Sequence, residues 1–183
     1  MDKREQNEYL QSIQSFNGWN AVKLQNPYKK ESDGITYEDA GKLKDEFRNF
    51  FKENKKELSQ RGVYRFIDSK DGTYYIGDAS DIKRRLWNKA RNDFTQDKNY
   101  NAGETDVRRW QIWNVYENSD TTVEFGFGDD HTEVVLLAAF IVGTGGLPDT
   151  NGEIAIASRK AKKLADNDSF REALSDLFEN WLD

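Results

Sequence analysis

Two phenols, a pair of cations and one carboxylate carry most of the chemistry legible in this chain. Tyr64 and Tyr75 flank Asp71-Gly72 within a run of apolar and β-prone residues, Val63, Phe66, Ile67, Tyr74 and Ile76. Asp-Gly in that setting predicts an antiparallel hairpin. If its loop has an even length, paired positions sum to an odd number, and Tyr64 and Tyr75 share one face. Arg85 and Lys89 lie four residues apart, so on a helix their side chains can converge on one phosphate. Glu133 stands at the start of the one strongly apolar helical segment. There the helix dipole favours an ionised carboxylate, which suits a metal ligand.

Each of these residues also has a plainer reading. A strand tyrosine packs, Lys83, Arg84, Arg85, Lys89 and Arg91 make a solvated basic face, and an acidic residue in a first helical turn is an ordinary capping feature.

The elements that must position these groups follow from periodicity. Tyr9, Leu10, Ile13 and Phe16 predict an amphipathic helix over 5–16, stopped by Gly18. Residues 19–37, with Pro27, Gly34 and Lys29-Lys30, read as a loop, and 37–58 as a helix with Leu43, Phe47, Phe50, Phe51 and Leu58 inward. Ser80 or Asp81 caps a helix running to Phe94 on which Ile82, Leu86 and Ala90 share a face. Residues 96–103 read as a loop, 105–116 as an aromatic-rich helix, and 123–127 as a third strand. The apolar run 134–142 is too short to cross a membrane and predicts a buried helix capped by Asp130 or Thr132 and stopped by Gly143, Gly145 and Gly146. A short strand over 154–157 and one or two helices over 158–182 complete the chain. The latter open with Arg159, Lys160, Lys162 and Lys163 and end acidic. The expected class is α+β: a small central sheet of about three strands, antiparallel in part, flanked by helices. The expected divisions are a helical extension over 1–59, a core over 60–157 and a helical segment over 158–183.

Composition bounds the function. The 183 residues suffice for a sizeable core. With no cysteine and a single histidine, His131, disulfides, thiolate sites and multi-histidine metal centres are excluded. The start of the chain lacks the apolar stretch of a signal peptide, and the expectation is a soluble, cytoplasmic protein without a membrane partner. The net charge of −6 argues against a strong non-specific grip on nucleic acid, whose binders are usually basic.

Gly62-Val63-Tyr64 and Tyr75-Ile76-Gly77, joined by a short turn, resemble the signature of the GIY-YIG nuclease superfamily. The passage from Asp78 to Leu86 is similar to that family's strand-to-helix connection, with Arg85 in its arginine position. Glu133 stands for its later glutamate, and Pro148 with Asn151 for the pair that closes its core. Lys89 departs from the pattern, since many members carry a histidine there.

The resemblance implies a metal-dependent endonuclease that hydrolyses phosphodiester bonds in DNA, of restriction, phage or mobile-element type, and a homodimer if its target is palindromic. It implies Glu133 as the ligand of one Mg²⁺ (or Mn²⁺), Tyr64 as general base or proton relay with Tyr75 sharing that task, and Arg85 as the holder of the scissile phosphate. Lys89 would act by charge alone, and Asn151 would orient or support the metal site. Lys83, Arg84 and Arg91 would contact nucleic acid. Arg85, Lys89 and the metal are expected to pull the Tyr64 phenol below its usual pKa. Asp78, an acidic residue directly after the second tripeptide, would bind metal or reduce activity. Two other readings remain: a catalytically silent module of the same fold that binds nucleic acid or protein, and an interaction protein whose hairpin match is coincidental.

Overall fold

A computed structural model describes residues 2–22, 49, 52–68, 72–85, 121–149 and 151–182. The expected helix over 105–116, the loop over 96–103 and the tip of the hairpin lie outside these residues, as do most of the helix over 37–58 and that after Asp81 beyond residue 85.

Helix α1 (Lys3–Ser15) is started by Asp2, whose side chain accepts a hydrogen bond from the Glu5 amide at 2.8 Å. It leads into a short strand, β1 (Asn20–Val22). The one-turn helix α2 (Lys55–Leu58) precedes the hairpin of β2 (Gly62–Asp68) and β3 (Gly72–Ala79), and β4 (Thr121–Phe127) follows. Helices α3 (Thr132–Thr144), α4 (Ile156–Ala165) and α5 (Arg171–Trp181) close the described chain, with a 3₁₀ turn over Asp168–Phe170 before α5.

The four strands form one antiparallel sheet in the order β1-β4-β2-β3. The class is α+β, with helical N- and C-terminal regions around this sheet. The sheet has one strand more than expected, because β1 falls inside the stretch read as a loop. Three residues without a period are too few to signal a strand, and β4 supplies the pairing that makes them one.

Strand alternation sends Val63 and Ile76 to one side of the sheet, where they join a single core with Tyr9 and Phe16 from the N-terminal segment, Val134–Ala139 of α3, and Ala161, Leu164, Phe170, Leu174 and Leu177. Helix α3 is apolar all round because it is surrounded, and it stops at Gly145, whose backbone is left-handed. Arg65 lies on the same side of the sheet as Val63. It binds Glu124 at 2.7 Å and lies 4.8 Å from the Trp19 ring centroid. The two charged side chains are only 11% and 18% exposed.

Two local expectations are corrected. The start of α3 is held by Asp129, not Asp130: the Asp129 carboxylate accepts from the His131 amide at 2.9 Å and from the Thr132 hydroxyl at 3.0 Å, and the Thr132 hydroxyl accepts from the Asp129 amide. Asp130 is turned away into an ion pair. The expected strand over 154–157 is a turn closed by Ala155 N–H to the Gly152 carbonyl, followed by the first turn of α4. Its alternating isoleucines are exposed, Ile154 by 84% and Ile156 by 67%, so burial does not enforce the period of two. No helix among the described residues is long and apolar enough to cross a membrane.

Candidate active site

The hairpin brings the two tyrosines together by a route the sequence does not display. Its last pair is Asp68↔Gly72, which leaves a three-residue loop, an odd number that would put Tyr64 and Tyr75 on opposite faces. A register shift between Phe66 and Ile67 inserts one extra residue, Tyr74, into β3 and restores Phe66↔Tyr75 and Tyr64↔Gly77. Tyr64, Phe66 and Tyr75 therefore share the face opposite the helical core. Their ring centroids are 5.8 to 5.9 Å apart pairwise, and Tyr64 is wholly buried.

Both glycines of the signature are required by close approach. A Cβ on Gly77 would lie 2.9 Å from the hydroxyl of Tyr64 and 2.9 Å from that of Tyr75. The residue directly across from Tyr64 must therefore lack a side chain for the two phenols to meet. A Cβ on Gly62 would run into the Gly126 carbonyl and lie 2.6 Å from Ile82 Cδ1. The helical turn over 82–85 is thus seated against the first tripeptide, and the Ile82 amide donates to the Gln60 carbonyl at 3.0 Å.

That seating carries Arg85. Asp81 starts the turn as expected, accepting from the Arg84 amide at 2.7 Å. Arg85 is exposed, yet near enough to favour the Tyr64 phenolate; Tyr75 and Glu133 oppose it. One buried hydroxyl is therefore within electrostatic reach of Tyr75, Arg85 and Glu133. Glu133 is half-buried in the first turn of α3.

Without a metal ion, the balance at Tyr64 runs upward, although Arg85 acts in the expected sense. Burial, followed by the Tyr75 charge and hydrogen bond, pushes its pKa well above the ordinary phenol value, and Arg85 only partly offsets this. The phenol is neutral at neutral pH.

Asn151 is committed to the backbone. Its Oδ1 accepts from the Ile76 amide at 2.9 Å and its Nδ2 donates to the Ile76 carbonyl at 2.7 Å. Lys83 and Arg84 lie on the turn beside Arg85, half-exposed and exposed respectively, with Arg84 reaching Ser80 Oγ at 3.5 Å. Lys89 and Arg91 lie outside the described residues.

Sequence reasoning missed Arg61. Its guanidinium pairs with Asp78 at 3.3 Å and Asp130 at 2.6 Å, tying the end of β3 to the turn that launches α3. Asp78, directly after the second tripeptide, is therefore engaged by a protein cation that it shares with Asp130. The available signal was Arg61 directly before Gly62, at the mouth of a hairpin whose other end carries Asp78.

Among the described residues no group of three or more His, Asp or Glu could hold a metal ion. A lone Glu133 at a helix start still fits Mg²⁺, which binds through one or two carboxylates and keeps several waters. No protein-family model, no curated protein and no solved structure matches the chain.

Proposed function

We propose that the protein is a metal-dependent DNA endonuclease that hydrolyses phosphodiester bonds, with Tyr64, Tyr75, Arg85 and Glu133 at its centre and Lys89 beside Arg85. The observation that carries this reading is that the hydroxyls of Tyr64 and Tyr75 meet over Gly77, each 2.9 Å from where its Cβ would lie, with Arg85 after β3 and Glu133 on α3 close enough to influence the buried Tyr64 phenol. Charge-bearing groups from separate elements, converging on one strongly perturbed hydroxyl, favour a site over strand packing.

The Arg85 guanidinium, permanently charged and planar, binds the non-bridging oxygens of the scissile phosphate. The phenols of Tyr64 and Tyr75 orient the attacking water and relay its proton; a neutral Tyr64 suits a relay better than a free-standing base. Glu133 would hold a divalent ion, Mg²⁺ or Mn²⁺, which supplies charge neutralisation at the phosphate. Asn151 keeps the Tyr75-Ile76-Gly77 segment in place through the Ile76 backbone. The lack of cysteine fits a reducing cytoplasm, where restriction-type or mobile-element DNA cleavage operates, and a palindromic target calls for a homodimer.

The second reading, a silent module of this architecture, is favoured by the raised Tyr64 pKa. Incubating the purified protein with supercoiled plasmid and genomic DNA, with and without Mg²⁺, beside Glu133→Ala separates the two. Metal-dependent cleavage lost in the variant supports the nuclease. Intact substrates under all conditions, with retained DNA binding, support the silent module.

A further inference from the structure

Helix α4 leaves the candidate site with a one-sided surface. Ser158, Ala161, Leu164 and Ala165 turn inward. At 100° per residue, Ile156, Arg159, Lys160 and Lys163 fall within an outward arc of roughly 100°, and all four are exposed. Lys162 lies off this stripe and is paired with Glu153 at 3.1 Å. No ion pair among the described residues engages Arg159, Lys160 or Lys163. Ile154, in the turn before the helix, extends the stripe with a second exposed apolar side chain.

The helix dipole accounts for Lys163 in the last turn, but burial and capping leave Arg159 and Lys160 unexplained, for α4 has neither a side-chain cap nor an acidic residue in its first turn to balance them. Three cations that pair with no described acidic residue, on one face of a chain with net charge −6, concentrate positive potential where a polyanion can use it.

The position of the stripe fits the site. Asn151 is fixed to Ile76, between Tyr75 and Gly77, and five Cα–Cα steps lead from it to Ile156. Even fully extended they span no more than about 18 Å, which corresponds to about five nucleotides along one strand of a duplex. The start of α4 is thus tethered within that length of the strand that carries Tyr75.

We infer that the exposed face formed by Ile156, Arg159, Lys160 and Lys163 of α4 is a docking surface for the sugar-phosphate backbone of duplex DNA flanking the cleavage site. The cations neutralise phosphates, and Ile154 and Ile156 rest on the deoxyribose faces between them. The contact is independent of base sequence and sets affinity and register, not target choice. The inference rests on the nuclease reading for the identity of its ligand.

The test is binding of a fluorescent mixed-sequence duplex over a range of salt concentrations, without divalent metal. The natural protein is compared with R159Q/K160Q/K163Q and with a control of equal charge loss on the exposed residues around α2, K52Q/K55Q/K56Q. The α4 variant is expected to flatten the slope of log affinity against log salt by about one unit per lost contact, two to three in all, and to weaken binding tenfold or more. The control is expected to move neither quantity comparably.

Equal losses in both variants overturn the inference by reducing it to net charge. Unchanged binding by the α4 variant overturns it and leaves the nuclease reading to the cleavage assay. A protein that is dimeric naturally and monomeric as the α4 variant makes the face an interface between copies, which also overturns it. Absence of DNA binding by the natural protein overturns the inference and leaves the nuclease reading to the cleavage assay with Mg²⁺. Because all three substituted side chains are exposed, thermal unfolding should match the natural protein.

Discussion

Asn151 supplies Ile76 with both hydrogen bonds that another strand would otherwise have made, 2.9 Å to the amide and 2.7 Å from the carbonyl. β3 is the outer strand of the sheet, and one side chain satisfies its edge at the centre of the second tripeptide. Asn151→Ala leaves two backbone groups of a fully buried residue without this partner, a cost of about 1–3 kcal/mol for each group that water does not reach. Chemical denaturation should show that loss, and cleavage should fall with it. Asn151→Asp keeps an acceptor for the Ile76 amide but sets a carboxylate against the Ile76 carbonyl. That raises the folded-state pKa of the new acid. Its stability contribution is then present below the unfolded value of about 3.9 and lost as pH rises through the folded value. Denaturation of Asn151→Asp should therefore show relative recovery in acid, and a flat difference from the natural protein would refute the carbonyl contact.

The pairing Tyr64↔Gly77 makes a sharper demand. In Gly77→Ala the methyl lies 2.9 Å from both hydroxyls, so one phenol must swing away. Overpacking of this kind costs about 1–3 kcal/mol. If Tyr64 and Tyr75 act together, cleavage should fall further than that stability loss predicts, at a temperature where the variant is still folded. Full activity in folded Gly77→Ala would separate the two phenols functionally.

What could be read in advance was whatever had a period or a punctuation mark. The α3 segment was evident from its apolar run, and the hairpin from Asp71-Gly72. The face shared by Tyr64 and Tyr75 was anticipated from an even loop, whereas an odd loop and an extra residue at Tyr74 produce it. A bulge leaves no mark in a run of apolar residues. The Arg61–Asp78 pair could be inferred from the hairpin, but Asp130 is distant in sequence and only the fold brings it to Arg61. The same limit hid Asp129, because its hydrogen bond from Ser12 crosses from α1 to the start of α3. Arg85 lowers the Tyr64 pKa in the sense its charge implies, but burial at a strand position, which a sequence does not display, outweighs it in the metal-free protein.

Ser12 and Asp129 give an acid-side prediction. Burial of the Asp129 carboxylate raises its pKa, but hydrogen bonds from Ser12 at 2.6 Å, the His131 amide and Thr132 outweigh this and leave it lowered. A lowered folded pKa stabilises above the unfolded value of about 3.9 and is lost as pH falls through the folded value. Because Asp129 is partly exposed, the effect is discounted to about 1 kcal/mol or less. Asp129→Asn should flatten the acid limb of the stability curve. Ser12→Ala should lower stability near neutrality by about 1 kcal/mol. Parallel acid limbs for the natural protein and Asp129→Asn would show that this carboxylate does not fasten α1 to α3.

Tyr64 governs the alkaline side and separates the two functional readings. Its folded-state pKa lies well above 10, first through burial and then through Tyr75. The neutral phenol thus contributes stability below the unfolded value of about 10, and that stability is lost as pH rises toward the folded value. Tyr64→Phe cannot ionise and should hold its fold further into alkali, seen as a shift of the unfolding midpoint to higher pH. Glu133 is among the groups that raise the phenol's pKa, so neutralising it must act in the opposite sense. Glu133→Gln should therefore move the slowest-titrating tyrosinate absorbance to lower pH. If Glu133 holds a divalent ion beside this hydroxyl, adding Mg²⁺ to the natural protein should produce the same displacement and leave Glu133→Gln unmoved. A shift with Mg²⁺ that persists in Glu133→Gln would place the ion elsewhere, and the absence of any shift with either change would break the electrostatic link between α3 and the hairpin on which the proposed site rests.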